Sequence, residues 1–149
     1  MKQIEATNGW FEPILKPMMN IILYRCVPPA LQNKDPSSRS EEDHLKINAL
    51  NVKLQDEQTL QGKTFVSRTT VCSPVYNNFP VVALRVVIAN PLTREADIDR
   101  VLRDQMRILT NFLDLDEESK SSIPAFLKSS EESPKKIVTS PIPSEVSSK

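Results

Sequence analysis

Arg85 stands alone among apolar neighbours in the run Val81-Val82-Ala83-Leu84-Arg85-Val86-Val87-Ile88-Ala89. A guanidinium taken out of water is costly unless an anion pairs with it, so this placement implies one of two things. Either a carboxylate-like group meets Arg85 on a dry strand face, or Arg85 lies at an edge and snorkels to solvent. Spacing alone leaves both open. The other reactive side chains are scattered. Cys26 and Cys72 each fall inside an apparent strand and read as buried thiols. The single histidine, His44, is followed by Leu45 and has no cysteine near it, so neither a zinc spacing nor a Cys-His or Ser-His-Asp set is encoded locally. Gly9 and Gly62 are the only glycines, and neither joins a strand to a helix as a phosphate-cradling loop would. The residue types by themselves name no catalytic, cofactor-binding or metal-binding residue.

The 149 residues suit one domain, with 19 basic and 19 acidic side chains and a formal net charge of zero. That balance gives no electrostatic reason to expect nucleic acid or an anionic membrane as partner. Met1-Lys2-Gln3-Ile4-Glu5 has no apolar stretch behind it, and Ile21-Ile22-Leu23 is too short to span a bilayer. The expected setting is soluble and cytoplasmic.

The elements that would hold Arg85 follow from patterning. Its own run, residues 81–89, reads as a strand with two unlike faces. Val82, Leu84, Val86 and Ile88 form a bulky face suited to the chain's own helices. Val81, Ala83, Val87 and Ala89 form a slimmer face around Arg85, expected to lie open to another surface. Residues 10–15, broken by Pro13, predict a short edge strand, and residues 20–27, stopped by Pro28-Pro29, a second that pairs with it as a hairpin. Residues 30–39 have loop composition. Ser40 predicts an N-cap and Gly62 a stop, with Ile47, Leu50 and Leu54 on one face of the helix between them. Residues 63–71 predict a strand, antiparallel to the Arg85 strand. A second helix runs from Arg94 to Phe112, with Thr93 as N-cap and Ile98, Val101, Leu102, Ile108, Leu109 and Phe112 as its apolar stripe, which Gln105 interrupts. Arg103 and Arg107 fall on its solvated face. From Asp116 the composition turns to Ser, Lys, Glu and Pro, so residues 1–115 are expected to be the domain and 116–149 a disordered tail.

These residues also carry a family likeness. Phe65-Val66-Ser67-Arg68-Thr69-Thr70, then Leu84-Arg85, four apolar residues, Asn90-Pro91, and the helix containing Asp97-Ile98, resemble the C-terminal small domain of pyridoxal-phosphate-dependent group II amino acid decarboxylases. The run leading to Ile22-Leu23-Tyr24-Arg25 and the helical Leu50-Asn51 are similar to that family as well. Aspartate, glutamate and tyrosine decarboxylases are the nearest in pattern. The resemblance implies an α+β fold, a small antiparallel sheet of three to four strands with helices on one face, as in the C-terminal domain of fold-type I pyridoxal phosphate enzymes.

It further implies that Arg85 holds the substrate carboxylate, since a planar guanidinium can grip a planar carboxylate at two points. The family's Schiff-base lysine follows a histidine, whereas here Leu45 follows His44, so pyridoxal phosphate is expected to be bound by a large domain outside this chain. The expected partners are that large domain or a second copy of the chain, with an acidic or aromatic amino acid as substrate. A fragment of a carbon–carbon lyase of amino acid metabolism, inactive alone, is the leading reading. An inactive remnant and a stand-alone small-molecule-binding or interaction module are the alternatives.

Overall fold

The computed structural model describes residues 1–128. Its centre is β4 (Val81–Val87), flanked by β2 (Ile21–Cys26) on one side and β3 (Ser67–Val71) on the other, with β1 (Phe11–Pro13) outside β2. All neighbours are antiparallel, with Phe11 opposite Cys26, Leu23 opposite Arg85, and Ser67 opposite Arg85 from the other side. The sheet is the four-stranded antiparallel one the sequence predicts, in an α+β arrangement.

Six helices complete the described chain: α1 (Lys2–Glu5), α2 (Pro29–Gln32), α3 (Glu41–Gln61), α4 (Glu95–Phe112), α5 (Glu117–Ser122) and α6 (Ala125–Lys128). The start of α3 is fixed by a reciprocal cap: Asp43 N–H donates to Ser40 Oγ, and Ser40 N–H to Asp43 Oδ2. A hydrogen bond from the Lys34 ammonium, followed by the Ser40 amide, holds the Asp43 carboxyl down at about 2. Gly62 ends the helix with φ 67°, a left-handed conformation that a side chain would strain.

The bulky face of β4 is covered as expected. Leu84 joins Tyr24, Cys26, Leu54, Leu102, Met106 and Leu109 in the main core, with Ile22 and Val86 packed at its margin. Gln105, which breaks the apolar stripe of α4, is fully buried and earns its place by hydrogen bonding. It accepts from Tyr24 Oη at 2.9 Å and donates to Gln58 Oε1 at 3.1 Å, so β2, α4 and α3 share one satisfied polar string.

Helix α3 is also stitched to the central strands. Asn51 donates to the carbonyl of Cys26 and accepts from its N–H, both at 2.8 Å. Asn48, three residues earlier on the same helix, accepts from Val82 N–H at 2.8 Å and donates to the Pro80 carbonyl at 2.9 Å. The β2–β4 ladder stops at Tyr24 opposite Leu84. Beyond that point the two asparagines satisfy the backbone groups that a longer ladder would have paired.

Several expectations need correction. Residues 30–39 are not a plain loop, because Pro29 starts α2 and Asp35 caps a 3-10 turn over Pro36–Ser38. β3 begins at Ser67 rather than Lys63. Helix α4 starts one residue late: Arg94 is still extended, and Asp97 Oδ2 accepts its N–H, so Thr93 is not the cap. Cys72 lies past the end of β3 and is exposed, whereas Cys26 is buried. The tail does not begin at residue 116: α5 and α6 follow, Ile123 and Leu127 are buried in the main core, and Trp10 Nε1–H reaches Ser122 Oγ at 3.3 Å. Residues 129–149 lie outside the described part. Among the described residues, no helix is long and apolar enough to cross a membrane.

The asparagine stitch has a measurable cost when broken. Asn51→Leu leaves Cys26 N–H and C=O buried without partners, and at about 1–3 kcal/mol for each orphaned group the variant should lose about 2–5 kcal/mol in urea unfolding. Asn48→Ala, in a half-buried position, should lose about 1–2 kcal/mol. Equal, small losses for both would show that the stitch does not hold the strands.

Candidate functional site

Arg85 sits at the middle of β4 on the face turned away from α3 and α4. Its Nε–H donates to Ser67 Oγ at 3.0 Å, and that hydroxyl donates in turn to the Arg85 carbonyl at 3.2 Å. Both bonds cross the β3–β4 register, so the sheet itself fixes the root of the guanidinium. Arg85 is exposed, and among the described residues no carboxylate pairs with it.

The slimmer face around it is only half open, which corrects the expectation that all of it would be. Val81 and Ala83 are 0% exposed, because the segment after the 3-10 turn Pro74–Tyr76 folds back and lays Tyr76 and Phe79 over them, together with Ile14. The open half holds Arg85, Val87 at 48% exposure and Ile21 at 36%. On it the guanidinium meets solvent, so in this chain the anion reading and the snorkelling reading both remain compatible with its position.

A second arginine cluster escaped the reading of the sequence. Arg25 breaks the apolar run of β2 just as Arg85 breaks that of β4, and it lies on the same face, opposite Glu12 of β1. Its Nε–H donates to Glu12 Oε1 at 2.7 Å, and Arg39 Nη1 donates to both oxygens of the same carboxylate at 2.8 and 2.9 Å. The Arg25 guanidinium lies 4.4 Å from the Tyr76 ring centroid. His44, in the first turn of α3, stacks on Phe79 with centroids 5.3 Å apart and meets Tyr76 edge-on. The signal was present in the sequence: an arginine inside an apolar strand, with a glutamate at the matching place of the hairpin partner.

Burial, then the Arg25 and Arg39 charges, holds the His44 pKa below its usual value. Burial chiefly, with Glu12 nearby, pushes the Tyr76 phenol up to about 12. The Cys26 thiol is pushed up by burial and stays protonated, so it is no nucleophile at neutral pH. No group of three or more His, Cys, Asp or Glu side chains among the described residues could hold a metal ion. What this arrangement can do is bind anions, at Arg85 from the open face and around Arg39 and His44 at the end of the sheet.

Comparison with known proteins points one way. No family model matches the chain. Aspartate 1-decarboxylase of Aliivibrio fischeri is 33% identical over 104 residues, which are 68% of this chain and 19% of that protein. Among solved structures, mouse CSAD matches with a TM-score of 0.59 at 21% identity, over 72% of this chain and 20% of its own. Oryza sativa TDC with PLP and tryptamine matches with a TM-score of 0.54 at 17% identity, over 76% of this chain and 21% of its own. The chain spans about a fifth of the length of the relatives it matches. The likeness to group II pyridoxal-phosphate-dependent decarboxylases drawn from the sequence therefore holds, and the fold is that of a part of such proteins.

The described residues do not fit pyridoxal phosphate itself. His44, the sole histidine, has its ring faces occupied by Phe79 and Tyr76 and cannot stack on a cofactor. No lysine lines either the cavity of about 460 Å3 beside His44 or that of about 180 Å3 beside Ile98. Incubating the chain with pyridoxal phosphate, reducing with borohydride and weighing the product should therefore show no single stoichiometric pyridoxyl lysine. One such adduct on one lysine would place a cofactor site here.

The His44 pKa gives a second expected outcome. A base whose folded pKa is depressed leaves the unfolded chain binding more protons at mildly acid pH, so its stabilising neutrality is present above about pH 6.5 and is lost as pH falls through the folded value. Urea unfolding at stepped pH should show wild type losing more stability than His44→Phe below about pH 6.5. Parallel curves would mean that the imidazole is not held neutral.

Proposed function

We propose that this chain is the small-domain portion of a pyridoxal-phosphate-dependent amino acid decarboxylase, in which Arg85 binds the substrate's carboxylate. The observation that carries the reading is a guanidinium anchored by Ser67, without an anionic partner, at the centre of the uncovered half of the sheet face. A pair formed there with a planar carboxylate would be held at two points once a second surface excluded water, which fixes both the position and the tilt of the carboxylate. Val87 and Ile21 supply the apolar surround that such a cover would bury.

On this reading residues 1–128 are one packed unit, the cover is a large domain or a second copy of the chain, and the cofactor is bound by that large domain. The substrate is an acidic or aromatic amino acid, the reaction a carbon–carbon lysis in cytoplasmic amino acid metabolism, and the chain alone is inactive. This chain's residues then contribute carboxylate binding and orientation and exclude water from one side. The likeness to aspartate 1-decarboxylase supports the acidic class of substrate first.

The test uses the chain combined with a separately supplied large domain of an aspartate 1-decarboxylase, with carbon dioxide release as readout. Arg85→Lys keeps the charge but loses the planar two-point contact; losing a charge-assisted pair in a covered site costs about 2–5 kcal/mol, so catalytic efficiency should fall by about tens to thousands of fold. Arg68→Lys is the control, because Arg68 is exposed and already bonded to Asp56 and Gln55 on the surface of α3. Equal behaviour of the two variants would make Arg85 a solvent-facing structural residue.

A further inference from the structure

The Arg25–Glu12–Arg39 cluster leaves a charge unbalanced. Two buried guanidiniums share one carboxylate, and the imidazole packed against them is neutral, so one positive charge has no partner within the cluster. The hydrogen-bond inventory is short in the same place. Arg25 Nη1, Arg39 Nε and both ring nitrogens of His44 are buried without a hydrogen-bond partner, and His44 is 1% exposed. Buried polar groups are nearly always satisfied, so this many orphans around one point indicate an absent acceptor.

The cavity of about 460 Å3 lies beside them. Arg39, Ser40, Glu41, His44, Tyr76, Asn77, Asn78, Phe79 and Pro80 line it, and it sits against the start of α3, a 21-residue helix whose N-terminus favours negative charge. Glu41 is at its exposed rim and forms no ion pair with Arg39. The wall opposite the helix is the Asn77-Asn78 turn, with both residues in the left-handed region at φ 53° and 59°, which folds the chain tightly over His44.

We propose that this cavity is a binding site for a small carboxylate anion, held between Arg39 and His44. A carboxylate offers two acceptor oxygens, which match the Arg39 Nε–H and one imidazole N–H, and its charge balances the cluster. The site is separate from Arg85: Pro80, which lines it, precedes Arg85 by five residues, about 16 Å of extended strand. The inference therefore does not depend on the decarboxylase reading.

The sole histidine makes the test direct, since the labelled chain gives one imidazole spin system. Sodium acetate is titrated into the full chain against sodium chloride at constant ionic strength and pH, and the His44 ring nitrogen signals are followed. Acetate should move them saturably with half-effect in the millimolar range, and chloride should not. His44→Phe keeps the stack on Phe79 while removing the donor, and acetate binding measured by calorimetry should then weaken by about tenfold or more, with the circular dichroism spectrum unchanged. Arg39→Lys, which retains charge but lacks the Nε donor, should weaken binding too. Ring signals that acetate leaves unmoved, or that chloride moves equally, would show an ordinary water-filled cleft. Wild-type affinity in folded His44→Phe would likewise overturn the assignment.

Discussion

Everything in this fold hangs on the point where β2 and β4 part company. Their ladder ends at Tyr24 and Leu84, and from there the backbone of Cys26 and Val82 is taken over by Asn51 and Asn48 of one helix. A side-chain amide presents a donor and an acceptor with nearly the geometry of a peptide group, so it can continue a sheet where no strand fits. The wedge so formed lets the first turn of α3 pass the end of the sheet and set His44 against Tyr76 and Phe79, which belong to the opposite face. One helix thus serves both layers: Leu54 packs in the main core, and His44 packs against the smaller one.

That geometry explains why two arginines on the same sheet face live so differently. Arg25 lies at the parted end, roofed by Tyr76 and the start of α3, and is wholly buried against Glu12. Arg85 lies where the ladder is intact and the roof is missing, and it rests on Ser67 alone. The roof is short because the Tyr76–Phe79 segment spans only Val81 and Ala83 before turning into β4. A buried pair with poor pairing is expensive to keep, whereas an exposed guanidinium costs little until something covers it.

Most of the framework was legible in the sequence because local signals agreed with the global fold. Ser40 with Asp43, Gly62, and the stripe from Ile98 to Phe112 each specify an element with little help from distant residues. The hairpins followed from Pro13, Pro28 and the length of the 72–80 loop. What was not legible depended on long-range placement. The periodicity of β4 shows two faces but not that Tyr76 and Phe79 return to cover half of one. The Ser- and Glu-rich composition after Asp116 hid two short helices, because Ile123 and Leu127 gain their burial only from a core assembled elsewhere. Arg25 was overlooked although its pattern was that of Arg85, since its carboxylate partner lies on another strand, thirteen residues away.

The outer strands carry a consequence for how this sheet can grow. A free sheet edge is a template for adding strands, and proteins defend it with proline, charge and shortness. β1 has three residues and ends in Pro13, which has no N–H to offer a newcomer. β3, at the other edge, presents Ser67, Arg68, Thr69 and Thr70, with Arg68 tethered to Asp56. Neither border invites edge-to-edge polymerisation. Assembly, for this molecule, is a matter of stacking on its uncovered plane rather than of lengthening its sheet.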